Sequence, residues 1–348
     1  MRPARVDVDS GAAVAEIPYS LVAQKFLRGR VVPFLGAGVN RVGRTERWQY
    51  RRSGTLPDGR ELAEHLATVY RYLESMTTAP AADGESQGAT ELLDLARVSQ
   101  FVALTTDEQQ LYDDLHDIFA SQYEPNALHR FFAQYPKRFR EHGLDPPYLL
   151  IVTTNYDDAL ERALTENDEE FDLFYYGSDE HAKGWFWHTK PDGSVTQVKD
   201  ASRYGADLLE KRTAILKIHG AVNRVDRDRD SYVITEDDYI EYLADAGISG
   251  LVPAKLKAKM RQSNFLFLGY SMRDWNVRAF LQRVWSERQR GVQSWAIQLE
   301  PDTLERRFWE KRSVEIHEVR LEDYIEALRA EMDVQLDAQV PPSARPAT

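Results

Sequence analysis

Five short segments of the chain bring together residue types that can bind a phosphorylated ligand and move a proton. Glycine and alanine let backbone N–H groups approach a pyrophosphate closely, especially where a helix begins. A histidine titrates near neutrality and can act as a general base, while amides and carboxylates can orient a substrate or stabilise developing charge. The segments are Gly36-Ala37-Gly38-Val39-Asn40, Thr153-Thr154-Asn155-Tyr156-Asp157, His219-Gly220, Gly269-Tyr270-Ser271 and Gln298-Leu299-Glu300.

Most of these segments also have a plainer structural interpretation. The stretch from Gly36 to Gly38 lacks the third glycine of the dinucleotide-binding fingerprint, since position 41 is arginine, and an ordinary glycine-rich turn would look the same. Asn155 or Asp157 could be the N-cap of a helix, and Ser271 could begin a capping box. The joint placement of the segments, rather than any single one, favours a binding site.

The eight histidines differ in how strongly their surroundings suggest chemistry. His219 follows an apolar run and precedes glycine, which suits a general base, although a hydrogen-bonded structural histidine would also fit there. His129 lies among aromatic residues in a helix predicted to begin at Asn126, which favours a structural role. The others show no metal-ligand spacing, so we expect no metal; they are His65, His116, His142, His181, His188 and His317.

The composition narrows the classes of protein further. A net charge of −12 (44 basic and 56 acidic residues) disfavours nucleic acid as a direct partner. The sequence has no cysteine, which excludes disulfides, thiolate catalysis, iron–sulfur clusters and cysteine-ligated zinc. No apolar run reaches the roughly 18–20 residues of a membrane span, and no secretory signal is visible, so we expect a cytoplasmic protein without a membrane partner.

The elements that would position these segments are short, nearly continuous apolar runs. Such runs predict strands buried on both faces, and the intervening three-to-four spacing of apolar residues predicts helices. The sequence therefore predicts an α/β fold with a Rossmann-like parallel sheet, helices on both faces, and a ligand edge at the carboxyl ends of the strands. The predicted strands are Val31–Leu35, Tyr148–Thr153, Ala214–Ile218, Asn264–Leu268 and Ser294–Leu299, and the predicted helices are Glu61–Met76, Glu91–Phe101, Asp107–Ser121, Asn126–Gln134, Asp157–Leu164 and Asp274–Glu287.

The uneven spacing of these strands predicts two insertions into a single domain. We expect residues 1–20 to form an N-terminal arm, 21–335 one domain, and 336–348 a disordered tail. Within the domain, residues from about 60 to 145 read as an inserted helical module, in which 77–90 form a mobile loop. Residues from about 165 to 211 read as a second insertion with three short strands, predicted at Phe171–Tyr176, Trp185–His188 and Val195–Val198.

Taken together, the segments resemble the motifs of the sirtuin family and occur in the family's order. Sirtuins carry Gly-Ala-Gly-Ile-Ser, Thr-Gln-Asn-Ile-Asp, a catalytic His-Gly and Gly-Thr-Ser, which are similar to the first four segments above. Pro125 to His129 is similar to the family's Pro-x-x-x-His helix. Leu56-Pro57-Asp58-Gly59-Arg60 is similar to Ile-Pro-Asp-Phe-Arg, across an insertion at 41–54. The resemblance spans roughly residues 30–300.

Two of the motifs look closer to divergent bacterial sirtuin-like proteins of anti-phage defence. These are Phe267-Leu268-Gly269-Tyr270-Ser271, followed by Asp274-Trp275-Asn276-Val277-Arg278, and the segment from Thr153 to Asp157. Deacylase sirtuins carry a four-cysteine zinc module after His-Gly, which a chain without cysteine cannot form. Gly59 also replaces the phenylalanine that shields the cleaved ribose in the family. The resemblance therefore implies a hydrolase that depletes NAD on infection.

The resemblance also implies the reaction and the residues that carry it. NAD and water would give ADP-ribose and nicotinamide through an oxocarbenium-like state, by analogy with glycoside hydrolysis. Asn155 would orient nicotinamide or water, Asp157 would hold the carboxamide or stabilise positive charge, and His219 would act on a ribose hydroxyl or the water. The implied NAD-binding residues are Gly36, Ala37, Gly38, Asn40, Asp58, Thr154, Gly269, Ser271 and Gln298.

Other functions stay open at this stage. They are a protein deacylase, an NAD- or ADP-ribose-binding signalling module without catalysis, and a redox Rossmann enzyme, which the missing third glycine disfavours. Nothing in the chain is typical of an infection sensor, so the resemblance implies a partner such as a HerA-type ATPase or another sensor encoded by a neighbouring gene. A short Argonaute partner is disfavoured, because no nucleic-acid domain is appended. We also expect a homo-oligomer, with Phe171–His188 as one surface for it.

Overall fold

The strands of the chain form one large sheet, and helices lie between many of them along the sequence. The structure is a computed structural model that describes residues 16–77, 93–177, 184–205, 207–244, 248–271, 275–286 and 291–339. Its strands are β1 (Val31–Leu35), β2 (Leu150–Thr153), β3 (Phe171–Gly177), β4 (Trp185–Thr189), β5 (Val195–Gln197), β6 (Thr213–Lys217), β7 (Gly220–Ala221), β8 (Ser231–Tyr232), β9 (Asn264–Leu268), β10 (Ser294–Gln298) and β11 (Val314–Glu318). Nine of them form a sheet in the order β11-β10-β9-β1-β2-β6-β3-β4-β5, and β7 pairs with β8. All neighbours from β11 to β3 are parallel, and β4 and β5 are antiparallel. The predicted α/β fold is confirmed.

Helices cover both faces of this sheet because the strands are apolar on both sides. They are α1 (Tyr19–Leu27), α2 (Gly59–Val69), α3 (Tyr72–Thr77), α4 (Leu95–Thr105), α5 (Glu108–Phe119), α6 (Ala127–Ala133), α7 (Tyr135–Glu141), α8 (Ala159–Glu166), α9 (Glu236–Ala244), α10 (Ile248–Leu251), α11 (Ala254–Gln262), α12 (Trp275–Trp285), α13 (Thr303–Glu310) and α14 (Leu321–Gln339). In β1, Val32 and Phe34 pack in the core with α11, α12 and α13, whereas Val31 and Leu35 pack with α1, α6 and α14. This alternation is why near-continuous apolar runs form the central strands.

A third core lies beside the sheet and belongs to helices α2 to α5. Leu66, Tyr72, Val98 and Leu115 are buried there, together with Tyr156, which follows β2. Helices α6 and α7 instead pack in the core of the sheet domain. The range of about 60–145 that the sequence predicts as one inserted module is thus divided, and only α2 to α5 form a separate cover.

Several predicted boundaries differ from the structure for identifiable reasons. The predicted second insertion extends the main sheet, because β3 pairs with β6 in parallel and carries β4 and β5 at its edge. Strand β11 was not predicted, since its apolar residues alternate with charged ones. The helix predicted from Glu61 to Met76 is broken at Arg71, whose φ is +52°. Helix α14 continues through Gln339, four residues into the predicted tail, because Leu336 is buried against the core.

Some of the sequence predictions fall outside the described residues. They are the arm before residue 16, the loop at 78–90, His181, the residues at 272–274 that would complete a capping box with Ser271, and the tail beyond 339. Within the part of the chain that the structure describes, no helix is both long enough and apolar enough to cross a membrane.

Candidate functional site

The polar segments meet because the strands that precede them are neighbours in parallel register. Strands β9, β1, β2 and β6 lie side by side, and Leu35 at the end of β1 is paired with both Leu268 and Thr153. Thr153 is in turn paired with Lys217 at the end of β6. The segments after these strands therefore start from one row across the sheet, as the sequence predicts.

A cavity of about 530 Å³, called here the inner cavity, lies between this sheet edge and the helical cover. One wall carries the polar strand-end residues, and the other carries residues of α2, α4 and α5, among them Leu62, Leu95 and Phe119. The sequence-predicted residues that line it are Ala37, Gly38, Asn40, Asp58, Thr154, Asn155, Asp157, His219, Gly269 and Ser271.

A second cavity of about 720 Å³, the outer cavity, shares a wall with the first. Gly38, Gly269 and Ser271 line both cavities, and Gln298 and Glu300 at the end of β10 line the outer one. Gln298 donates from Nε2 to the carbonyl of Tyr270 at 3.4 Å, while its buried Oε1 has no hydrogen-bond partner among the residues that the structure describes. Gly36 is the one predicted site residue that lines neither cavity.

Asn155 and Asp157 are both buried at the end of β2. The backbone N–H of Asn155 donates to Thr153 Oγ1 at 3.0 Å, and within the described part of the chain its buried side-chain Oδ1 has no hydrogen-bond partner. Asp157 accepts from Asn40 Nδ2 at 3.1 Å and from the backbone N–H of Ala159 at 3.1 Å. The carboxylate of Asp157 therefore accepts from the first N–H of α8, although the N-cap residue is Asp158, and Asn155 is not used as a cap.

His219 is held in a tightly packed turn after β6. The next residue, Gly220, has φ +94°, and a Cβ there would lie 2.0 Å from the carbonyl oxygen of Ser231, so only glycine fits. The backbone N–H of Val233 donates to the carbonyl of His219 at 2.9 Å. The rings of Tyr239 and Tyr242 pack edge-on against the imidazole, at centroid distances of 5.4 and 5.5 Å. Tyr239 also lines the inner cavity, and no sequence motif points to it.

The glycines after β1 and β9 allow two loops to touch. The N–H of Gly36 donates to the backbone carbonyl of Leu268 at 3.0 Å, and the N–H of Gly38 donates to the backbone carbonyl of Gly269 at 2.8 Å. A Cβ on Gly38 would lie 2.6 Å from the carbonyl oxygen of Gly269, and Gly269 itself has φ +61°. These two N–H groups are thus engaged, which corrects the expectation that they are open to a pyrophosphate. Their glycines serve close packing of the loops.

Asp58 begins the helical cover. Its carboxylate accepts from the N–H of Glu61 at 2.8 Å, and Glu61 accepts in return from the N–H of Asp58 at 2.9 Å, which is a capping box. Arg44 pairs with Glu61 at 2.8 Å, both nearly buried. Burial alone would raise the pKa of Glu61, but the N–H groups of Asp58 and Trp48 and the Arg44 guanidinium hold it below its ordinary value. Asp58 lines the inner cavity, yet its carboxylate is already occupied.

Two charged residues beneath the strand ends were not predicted from the sequence. Lys217 is 1% exposed, and its Nζ lies 2.6 Å from Glu161 Oε1 on α8. The same ammonium donates to the backbone carbonyls of Tyr156 and Asp157. A lysine inside an otherwise apolar strand, two residues before His219, is the sequence signal that could have revealed this pair.

His129 has the structural role that the sequence favours. It is buried, and its Nδ1 accepts from the N–H of Asn126 at 3.2 Å in a second capping box. Burial lowers the pKa of His129 to about 4, against the opposing charge of Asp157, so the ring is neutral near pH 7. Asn126 also donates from Nδ2 to the carbonyl of Val39 at 2.8 Å, which attaches α6 to the loop after β1.

Among the described residues, no group of three or more histidine, aspartate or glutamate side chains is placed to hold a metal ion. Asn155, Asp157 and His219 bring a buried amide, a buried carboxylate and an imidazole from two adjacent strands to the inner cavity. Such a set can orient a polar substrate, stabilise positive charge and accept a proton.

Comparison with known protein families agrees with this arrangement. Residues 149–317 match the family described as the SIR2-like domain. The chain is similar to this family over that range, which is a little less than half of its length. The matched range contains Asn155, Asp157, His219 and Gln298, whereas the first loop and the helical cover lie before it.

The chain is also similar to a protein named NAD(+) hydrolase ThsA from Cytobacillus dafuensis. The two are 26% identical over 205 residues, which is 59% of this chain and 33% of that protein. The match thus spans about one third of the relative's length.

Proposed function

We propose that this sirtuin-like protein hydrolyses NAD to ADP-ribose and nicotinamide. The observation that carries the proposal is the convergence of Asn155, Asp157 and His219 on one cavity that adjoins a second, larger one. A relative named as an NAD(+) hydrolase supports the choice of substrate.

The polar groups of both cavities suit the two halves of a dinucleotide. Three buried side-chain oxygens have no hydrogen-bond partner among the described residues: Asn40 Oδ1 and Asn155 Oδ1 at the inner cavity, and Gln298 Oε1 at the outer one. A buried acceptor without a partner is costly, and the hydroxyl and carboxamide groups of NAD are donors that would satisfy it. We place the nicotinamide ribose in the inner cavity and the adenosine in the outer one.

The chain's residues then divide the reaction between them. Cleavage of the N-glycosidic bond develops positive charge on the ribose, and water supplies the oxygen that replaces nicotinamide. Asp157, fixed by Asn40 and the start of α8, lies where its negative charge stabilises that charge. Asn155 orients the carboxamide or the water. His219 accepts the proton that the water or a ribose hydroxyl gives up.

The test is to incubate the purified chain with NAD and to quantify nicotinamide and ADP-ribose by chromatography. We expect the two products in equal amounts, without an added acetyl-lysine peptide, and no products from Asn155→Ala. Formation of O-acetyl-ADP-ribose only when an acetylated peptide is present would replace hydrolysis by deacylation. Calorimetric binding of NAD without any product would make the chain a binding module.

We further propose that NAD cleavage serves anti-phage defence in the cytoplasm, in a homo-oligomer activated by a partner such as a HerA-type ATPase. The support is the motif resemblance described above. Nicotinamide release measured with and without the protein encoded by the neighbouring gene tests it, and stimulation by that protein is the expected result. An equal rate in both samples would contradict activation by that partner.

A further inference from the structure

Lys217 connects the two loops that carry the proposed catalytic residues. It ends β6, two residues before His219, and its side chain crosses to the loop after β2. There the ammonium donates to the backbone carbonyls of Tyr156, at 3.4 Å, and of Asp157. The buried side chain of Lys217 therefore links Asp157, which carries the carboxylate, to β6, the strand that leads to His219.

Glu161 makes this arrangement possible. An ammonium with 1% exposure is expensive to bury unless an opposite charge lies beside it, and Glu161 Oε1 lies 2.6 Å away. Burial raises the pKa of Glu161, and the charge of Lys217 works against that rise. The glutamate is thus the counter-ion of the lysine, and the lysine itself donates to the loop carbonyls.

Backbone hydrogen bonds and the Lys217 ammonium together set the position of the loop after β2. The N–H of Ile218 donates to the Thr153 carbonyl at 3.0 Å, and the N–H of Val222 donates to the Tyr156 carbonyl at 2.9 Å. The carboxylate of Asp157 is oriented by Asn40 and Ala159, but those bonds fix the side chain and the start of α8. The distance from this loop to β6 is set by the neighbouring strand pairing, which ends at Thr153 and Lys217. Beyond that pair, the ammonium of Lys217 adds to the backbone bonds a contact with the carbonyl of Asp157, the residue that carries the carboxylate.

We infer that Lys217 is a positioning residue of the site, which holds Asp157 and His219 at a fixed separation through its bonds to the Tyr156 and Asp157 carbonyls. The inference rests on the proposed function, because it concerns the rate of the step that those residues carry out. A displacement of about 1 Å between catalytic groups can lower a rate about 100-fold. Removal of the ammonium should therefore slow the chemical step more than it weakens NAD binding.

The main variants are Lys217→Met and the double variant Lys217→Met/Glu161→Gln. The double variant removes both buried charges, and replacement of a whole buried ion pair by neutral groups is generally tolerated. We expect its thermal midpoint to lie close to that of the unmodified chain. We also expect kcat to fall about 10- to 100-fold in both variants while KM changes less than about threefold. Lys217→Arg, which keeps donors at this position, should restore part of the rate.

Lys259→Met is the matched control. Lys259 is a partly buried lysine whose Nζ donates to the carbonyl of Gly29 at 2.6 Å, before β1 and away from both cavities. The Lys259→Met substitution should leave kcat unchanged.

The outcomes separate this inference from the proposed function. If the double variant is stable and turns over NAD at the unmodified rate, Lys217 is only structural and the inference is wrong, while hydrolysis stands. If KM rises as much as kcat falls, Lys217 supports binding rather than positioning, which also overturns it. If neither the unmodified chain nor the Lys217 variants release nicotinamide, the proposed function itself fails.

Discussion

The two walls of the inner cavity are built in different ways. The wall at the sheet edge carries Asn155, Asp157 and His219, whose backbones are fixed by strand register and by glycines that permit loop contact. The opposite wall comes from helices α2, α4 and α5, which have their own hydrophobic core. Arg44 and Glu61 attach the loop after β1 to the start of that cover.

This difference suggests a division of labour between the walls. The sheet-edge wall holds the groups that would do chemistry, and its geometry depends on contacts that tolerate almost no change. The cover presents mainly apolar residues and already satisfied charges to the cavity, so we assign to it substrate retention and the exclusion of water. Changes at the first wall should therefore lower the rate of cleavage, and changes at the second should weaken binding.

The largest effect is expected from Gly269→Ala at the sheet edge. Gly269 has φ +61°, and a Cβ there would lie 2.2 Å from the backbone nitrogen of Val39. The substitution must separate the two loops, so we expect a loss of roughly 2–4 kcal/mol in the free energy of unfolding and at least about a 100-fold loss in kcat. Urea titration and nicotinamide release measure the two quantities.

Gly43→Ala is the control for this substitution. Gly43 also has a positive φ, +77°, but a Cβ there would meet nothing within 4 Å. It should cost only about 1 kcal/mol of backbone strain and leave kcat within about threefold. Equal effects of the two substitutions would show that loop contact at Gly269 has no special importance.

A smaller effect, of a different kind, is expected from Arg44→Met at the cover. The substitution removes the 2.8 Å ion pair with Glu61 and a bond from Nη1 to the carbonyl of Leu56 at 3.3 Å. Because the cover is then attached less firmly, we expect KM for NAD to rise about five- to tenfold and kcat to change little. Initial rates over a range of NAD concentrations give both constants.

Arg212→Met controls for the loss of a partly buried arginine. Arg212 Nε bonds to Asp172 Oδ2 at 2.9 Å, and neither residue lines a cavity. It should leave KM unchanged. A fall in kcat at constant KM for Arg44→Met would contradict the role assigned to the cover.

The smallest effect is expected from His129→Gln, which should change stability and not the rate. The pKa of His129 is about 4 in the folded chain and about 6.5 when unfolded, so the unfolded chain binds the extra proton first. The stabilisation by the neutral ring is fully present above about pH 6.5 and is lost as the pH falls toward 4, by about 2 kcal/mol at pH 5.

Glutamine at this position can keep the capping box without titrating. Between pH 7 and pH 5, the variant should therefore lose about 2 kcal/mol less unfolding free energy than the unmodified chain, as urea titrations at both pH values would measure. Parallel losses in the two proteins would show that His129 does not carry this pH dependence.

The sheet-edge wall of the inner cavity could be predicted from the sequence better than the helical cover. Strands such as Val31–Leu35 and Asn264–Leu268 were predicted with correct bounds, because burial on both faces leaves a continuous apolar signal. Strand β11 lies at the sheet edge and alternates apolar with charged residues, so the rule for buried strands did not detect it. The sheet-edge residues of the site could be grouped because parallel strands end together.

The cover could not be predicted in this way. Leu95 and Phe119 reach the inner cavity through the tertiary packing of α4 and α5, for which the sequence carries no motif. The engagement of the Gly36 and Gly38 N–H groups was also invisible, because it depends on contact with a loop about 230 residues later. The role of Lys217 needed the distances to Glu161 and to two carbonyls.

The most direct test of the central claim compares NAD binding and nicotinamide release in His219→Ala and Asn155→Ala, with the fold checked by circular dichroism. We expect calorimetry to show that both variants bind NAD with an affinity within severalfold of that of the unmodified chain. Release of nicotinamide should fall by about 10²- to 10⁴-fold. Folded variants that release nicotinamide at the unmodified rate would contradict the assignment of the sheet edge as the site of cleavage.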